Sequence, residues 1–189
     1  EIFSINEVSK VFSLEKVNKA GAKFDWDKLN WLNSQVIHNW PSEKLLKELR
    51  TLWLAQEWEV QEEEWSLDLV KLIGPSLTLL NDGIEQSKPF FEEPKIEDDA
   101  KKQLDSTDAK KALKALSIQL EQNPWDGLDN AKAKSIIAAA ADSSQLKKGL
   151  LMKTLRAALL GKMQGPDLMT TWSLLARIGK DRQRIIRCL

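Results

Sequence analysis

Residues 145–168 read QLKKGLLMKTLRAALLGKMQGPDL, and their spacing decides the fold. Leu146, Leu150, Leu151, Leu155, Ala158 and Leu159 recur at intervals of three or four residues, the period of a helix with one apolar stripe. At about 100° per residue, Leu151, Leu155 and Ala158 fall on the inner face, and Lys153 and Arg156 on the opposite one. Gly161 stands where a helix C-cap would. Pro166 lacks the N–H that a continuing helix needs. The stretch predicts a helix over 145–160, a turn over 161–166 and two cations beside that turn.

The same period extends outward. It recurs in Trp26, Leu29, Leu32, Val36 and Trp40, in Leu45, Leu49, Leu52 and Trp53, and in Ala109, Ala112, Leu113, Leu116 and Leu120. No five-residue stretch alternates apolar and polar side chains with β-branched enrichment, so strands are not expected. The chain reads as all-α, with nine or ten helices and no repeat. Ser4 followed by Glu7 makes a capping box, and Asp25, Ser42 and Thr107 are candidate N-caps. Pro41, Pro75, Pro124 and Pro166 interrupt helices, and Gly161 and Gly179 close them. Apolar spacing weakens between Gln86 and Asp108, around Pro89, Pro94 and Glu97-Asp98-Asp99, which places a boundary near residue 98.

The 189 residues carry 28 basic and 28 acidic side chains, but not evenly. Residues 1–56 sum to +1, residues 57–108 to −10 and residues 109–189 to +9. Residues 147–189 alone hold ten basic and two acidic groups. Such asymmetry points to an anionic partner for the basic end. Lys153 and Arg156 are its candidate phosphate and base contacts, since a guanidinium grips planar acceptors and stacks on bases. A solvated basic face has the same sequence.

Several chemistries find no support. One Cys (Cys188) and one His (His38) exclude an internal disulfide and a zinc site built on several such ligands. Phosphate-cradling glycine loops are missing. The acids around 57–68, including Glu62-Glu63-Glu64, read as a solvated helix start, and His38 as a helix-end residue. No catalytic residue, metal or cofactor is assigned to this chain. Trp26, Trp40, Trp53 and Trp172 occupy core spacing rather than an obvious stacking surface. No apolar run reaches membrane-spanning length, and sparse cysteine fits a reducing compartment. The start, without Met, reads as a piece of a longer protein.

Two blocks resemble a known family. Leu155-Arg156-Ala157-Ala158-Leu159-Leu160-Gly161, followed by Gly165-Pro166-Asp167-Leu168, resembles the anticodon-binding region of bacterial-type glutamyl-tRNA synthetases. Phe12-Ser13-Leu14-Glu15-Lys16-Val17-Asn18-Lys19, with Phe24 to Asn33, is similar to that family's segment after the ATP-binding signature loop. The resemblance implies a two-part helical bundle, the α-helix cage of that family. Residues 1–38 would end the tRNA stem-contact domain, 39–98 form a first anticodon-binding subdomain and 99–189 a second. It implies a cytoplasmic, monomeric glutamate–tRNA ligase whose ATP and Mg belong to a catalytic domain carrying the HIGH and KMSKS signatures, neither of which occurs here. This part would bind tRNA(Glu) without aminoacylating it.

Site residues follow where the motif matches. Arg156 and Leu168 would approach the first anticodon base, and Gly165 and Pro166 the middle one. Lys153 and Lys19 would add RNA contacts. Family members restricted to glutamate tRNA carry an Arg to read the third base. Aligning its helix on Asp68-Leu69-Val70-Lys71-Leu72-Ile73 puts Gly74 there, with no Arg between Arg50 and Arg156. That departure implies the non-discriminating class, with tRNA(Gln) as a second partner. The acidic middle would repel phosphate from wrong docking faces, unless it serves only solubility. A helical protein–protein interaction module without RNA binding fits the amphipathic pattern as well.

Overall fold

The computed structural model describes residues 3–17, 21, 23–122 and 128–189. Pro124 and Lys19 lie outside them. Among the described residues there are eleven α-helices and no strand, so the all-α reading holds with more helices than expected. They are α1 (Ile5–Val11), α2 (Trp26–His38), α3 (Ser42–Ala55), α4 (Glu63–Ile73), α5 (Asp82–Phe91) and α6 (Asp98–Leu104). There follow α7 (Thr107–Gln122), α8 (Asn130–Ser144), α9 (Lys148–Leu160), α10 (Leu168–Arg177) and α11 (Lys180–Arg187). Short 3-10 turns occupy Leu14–Lys16 and Gly74–Ser76. None of the described helices is long and apolar enough to cross a membrane.

Local signals explain several helix starts. Ser4 Oγ accepts from Glu7 N (3.2 Å), and the Glu7 carboxylate accepts from Ser4 N (2.8 Å), closing the capping box of α1. Asp25 caps α2 by accepting from Lys28 N (3.0 Å). Two expected caps are displaced by one residue. Ser42 and Thr107 are the first residues of their helices. Ser106 supplies the cap of α7, its Oγ accepting from Ala109 N (3.2 Å). The helix expected from Gln145 begins at Lys148, because Gln145 adopts a left-handed φ of 55° and closes α8. The stretch 86–108, read as weakly helical, holds the end of α5, all of α6 and the start of α7. Only 92–97 and the two residues 105–106 are connections there.

One apolar core runs from Ile37 to Ile185, across the expected boundary near 98. Trp53, Trp65 and Trp172 are its largest fully buried apolar side chains. Burial leaves each indole N–H needing an acceptor. Trp53 Nε1 donates to Ser87 Oγ (2.9 Å), Trp172 Nε1 to Asp181 Oδ2 (3.0 Å) and Trp65 Nε1 to the Leu174 carbonyl (2.9 Å). The last bond ties α4 to α10. Trp26, expected in the core, is 68 % exposed, because no described element covers the start of α2; the Phe24 ring meets it edge-on at 4.7 Å. Trp40 is half-buried and packs on the core's margin.

The chain's end closes the bundle. Arg184 is fully buried on α11 and donates to the carbonyls of Leu159 (2.7 Å), Pro89 (2.7 Å) and Glu92 (2.8 Å). Lys180 Nζ donates to Phe90 O (3.2 Å) and Phe91 O (2.7 Å). A helix C-terminus leaves carbonyls without intrahelical donors and attracts cations. These two side chains satisfy that end of α5 from 90 residues away in sequence.

Candidate nucleic-acid interface

The turn between α9 and α10 is built around one guanidinium. Gly161 ends α9 at φ +68°, and a Cβ there would lie 2.2 Å from the Lys95 carbonyl oxygen. Only glycine fits both the left-handed backbone and the crossing 92–97 segment. The Gly161 carbonyl in turn accepts from Glu97 N (2.8 Å). Arg156, one turn before the end of α9, donates through Nη1 to the Pro166 carbonyl (2.7 Å). Gly165 lies under that arm. A Cβ on it would sit 2.9 Å from Leu160 Cδ1 and 3.4 Å from Arg156 Nη1. Asp167 then caps α10, accepting from Thr170 N (2.9 Å) and Thr170 Oγ1 (2.8 Å). These bonds, chiefly that from the Thr170 N–H, hold its carboxyl below the ordinary value. Burial lowers the Arg156 pKa, and the Asp167 charge opposes that shift.

The expected contacts fall at different depths. Gly165 and Lys153 are exposed, and Arg156 and Pro166 half-buried. Leu168, expected to approach a base, is only 3 % exposed. As the first residue of α10 it turns inward behind Asp167 and supports the turn from the core. Gly74, which ends α4, is buried and its Cβ position lies 3.2 Å from Leu45 Cδ2. Lys19 lies outside the described residues.

Two grooves connect these places. One, between α4 and α10, is lined by Asp68, Lys71, Leu72, Asp167, Thr170 and Arg177, among others. The second is lined by His38, Trp40, Leu45, Lys71, Gly74 and Pro75, among others. Lys71, exposed on α4, lines both. It brings the α9–α10 turn and the Gly74 corner onto one face. Sequence reading missed Lys71, because only the Trp65–Leu174 packing of α4 on α10 reveals its place.

The charge asymmetry has an internal explanation. Arg177 Nη1 meets Asp68 (2.8 Å), and its Nη2 meets Glu62 (3.6 Å) and Glu64 (4.0 Å). Glu93 pairs with Arg184 (3.5 Å) and with Arg187, and Glu97 with Lys162 (3.5 Å). Arg182 donates to the Leu120 carbonyl (2.8 Å). The acidic middle therefore meets the basic end of the same chain. The cations of 177–187 are spent largely within the fold, which corrects the expectation that the whole basic end faces an anion. Among the described residues, no group of three or more His, Cys, Asp or Glu side chains is placed to hold a metal.

A family model described as "Anticodon binding domain" matches residues 44–186. The chain belongs to the anticodon binding domain family. It is 57 % identical over its full length to a glutamate–tRNA ligase of Synechococcus sp. (strain CC9311), and 55 % identical to one of Prochlorococcus marinus (strain MIT 9303). It spans 40 % of the length of each. Among solved structures, a glutamate tRNA ligase from Elizabethkingia meningosepticum in complex with its amino acid superimposes with a TM-score of 0.86 at 27 % identity. That likeness covers 99 % of this chain and 36 % of the other. Glutamate-tRNA synthetase from Elizabethkingia anophelis gives 0.81 at 28 % identity. In this anticodon-binding domain, the α9–α10 turn and the Gly74 corner both lie within the matched residues.

Proposed function

We propose that this chain is the tRNA-binding part of a glutamate–tRNA ligase, and that its α4–α10 face reads the anticodon. The observation that carries the reading is the turn over 161–167, pinned by the Arg156–Pro166 bond and joined through Lys71 to the groove at Gly74. Single-stranded anticodon bases are recognised by splayed contacts to rigid turns, guanidinium planes and shape. Arg156 and Lys153 meet the first base and its phosphate. Gly165 and Pro166 meet the middle base through backbone groups and shape, while Leu168 holds the turn from beneath. Residues 1–38 belong to the tRNA stem-contact domain, and 39–98 and 99–189 are the two anticodon-binding subdomains. The ligase chemistry, with ATP and Mg, belongs to the remainder of a longer, cytoplasmic, monomeric protein.

Gly74 sets the specificity. Without a side chain it leaves the third base unread, so the parent enzyme accepts tRNA(Gln) as well as tRNA(Glu). A competition experiment tests anticodon reading. An RNA hairpin with the glutamate anticodon should displace glutamate tRNA from the chain, whereas one with an unrelated anticodon should not. Equal displacement by both hairpins would refute anticodon reading.

A further inference from the structure

Trp40 differs from four other tryptophans of the fold. Trp53, Trp58, Trp65 and Trp172 each donate the indole N–H to an acceptor within the fold. Among the described residues, Trp40 donates to none. It stands between α2 and α3, half-buried, and Lys44 Nζ lies 4.0 Å from its ring centroid. Its ring lines the groove that also holds Lys71, Gly74 and Pro75. The groove thus joins an indole, an unspent N–H donor, flanking ammonium groups and a position with no side chain.

We propose that this groove is a nucleobase seat and that Trp40 is the platform on which the third anticodon base stacks. The inference rests on the anticodon-reading function above and gives that function its chemistry at one base. Every base has a π-face, so an aromatic platform binds tightly without choosing among bases. Lys44 covers the ring from one side, and a base entering the groove completes the sandwich. Lys71 and Lys44 meet the flanking phosphates as point charges. Discrimination would need a group aimed at the base edge, and Gly74 has no side chain to supply it. Affinity at the third base therefore comes from Trp40, and tolerance from Gly74.

The test uses the 189-residue chain and three RNA hairpins that carry the glutamate anticodon with cytosine, guanine or an abasic site at the third position. The wild type should bind the cytosine and guanine hairpins within about threefold of each other, and the abasic one about tenfold more weakly, as loss of one stacked base requires. Trp40→Phe should keep that pattern. Trp40→Leu, which keeps apolar bulk on the core margin, should weaken both base-bearing hairpins about tenfold and leave the abasic one unchanged. Equal weakening of all three hairpins by Trp40→Leu, or no change in any, would overturn the seat. So would a wild type that binds the abasic hairpin as tightly as the others. If the wild type bound no hairpin at all, anticodon reading itself would fall; binding to all three without dependence on Trp40 removes only the stacking platform.

Discussion

The guanidinium of Arg156 reaches across the α9–α10 turn to the carbonyl of Pro166, 2.7 Å away and ten residues further along the chain. The same group that bears the candidate RNA-contacting charge thus also sets the shape of the turn. Its burial is partial, so one arm is committed inward while the remainder borders solvent. Arg156→Ala should lower the chain's unfolding free energy by about 1.5–3 kcal/mol, the range for a charge-assisted hydrogen bond. Arg156→Lys should recover part of the stability and little of the hairpin affinity, because an ammonium lacks the planar fork. Urea unfolding beside hairpin titration separates the two effects. Equal loss of affinity in both variants, with stability untouched, would show that the bond to Pro166 does not shape the turn.

Gly161 allows a sharper test of the same turn. An added Cβ would meet a backbone oxygen of Lys95, which cannot rotate away, at a φ that side chains rarely adopt. Gly161→Ala should cost about 2–4 kcal/mol, from the left-handed penalty together with overpacking. Gly149, whose Cβ position is open, is the matched control within α9. Gly149→Ala should be neutral or stabilise by up to about 1 kcal/mol. Thermal melts of the two variants read the difference directly.

Acid should loosen the cap of α10. Asp167 has a folded pKa below its unfolded one, so its contribution is complete above the unfolded pKa and is lost as pH falls through the folded value. Asparagine caps helices about as well as aspartate and does not titrate. Asp167→Asn should therefore match the wild type in acid, where the native carboxyl is protonated, and show a flatter fall in stability on acidification. Asp167→Ala, which also loses both bonds to Thr170, should cost about 1 kcal/mol at neutral pH. Denaturant midpoints measured across the acid range would decide it, and a wild-type slope retained in Asp167→Asn would point to another titrating group.

Gly74→Arg asks whether the third base is left unread for want of a side chain. The new Cβ would stand 3.2 Å from Leu45 Cδ2, so Leu45, which lines the same groove, must yield by a few tenths of an ångström. Gly74→Ala isolates that packing cost. Relative to Gly74→Ala, Gly74→Arg should favour a cytosine hairpin over a guanine hairpin by about 1–3 kcal/mol, the worth of one good base-edge contact. Unchanged preference between the hairpins would remove Gly74 from the account of specificity.

What the sequence disclosed was local, and what it concealed was tertiary. The 3.6-residue period, the Ser4–Glu7 box and the Gly161 cap are each set by neighbours within a few positions, and all three appear in the fold. Trp26 has the spacing of a core residue, yet spacing says nothing of whether a partner exists to cover it, and it lies 68 % exposed. Leu168 adjoins the turn in sequence, but the direction of α10 carries its side chain inward. Lys71 and Trp40 carried no motif. Each gains its place only when α4 meets α10 and when Gly74 meets the end of α2.

Charge was the most misleading signal, and it yields the last prediction. Regional sums of −10 and +9 suggested an anionic partner for the basic end, yet Arg177, Arg184 and Arg187 answer Glu62, Glu64, Asp68 and Glu93 within the chain. A cation already paired in the free protein releases little counterion when RNA binds. Lys153, exposed on α9 beside the turn, should behave otherwise. Lys153→Ala should reduce the slope of log affinity against log salt for the glutamate hairpin by about 0.7–0.9, the signature of one lost phosphate contact. Arg187→Ala should leave that slope unchanged and lower stability, since it removes one of the two arginines that pair with Glu93. The reverse pattern, a shallower slope for Arg187→Ala and none for Lys153→Ala, would return the RNA to the C-terminal helix and away from the α9–α10 turn.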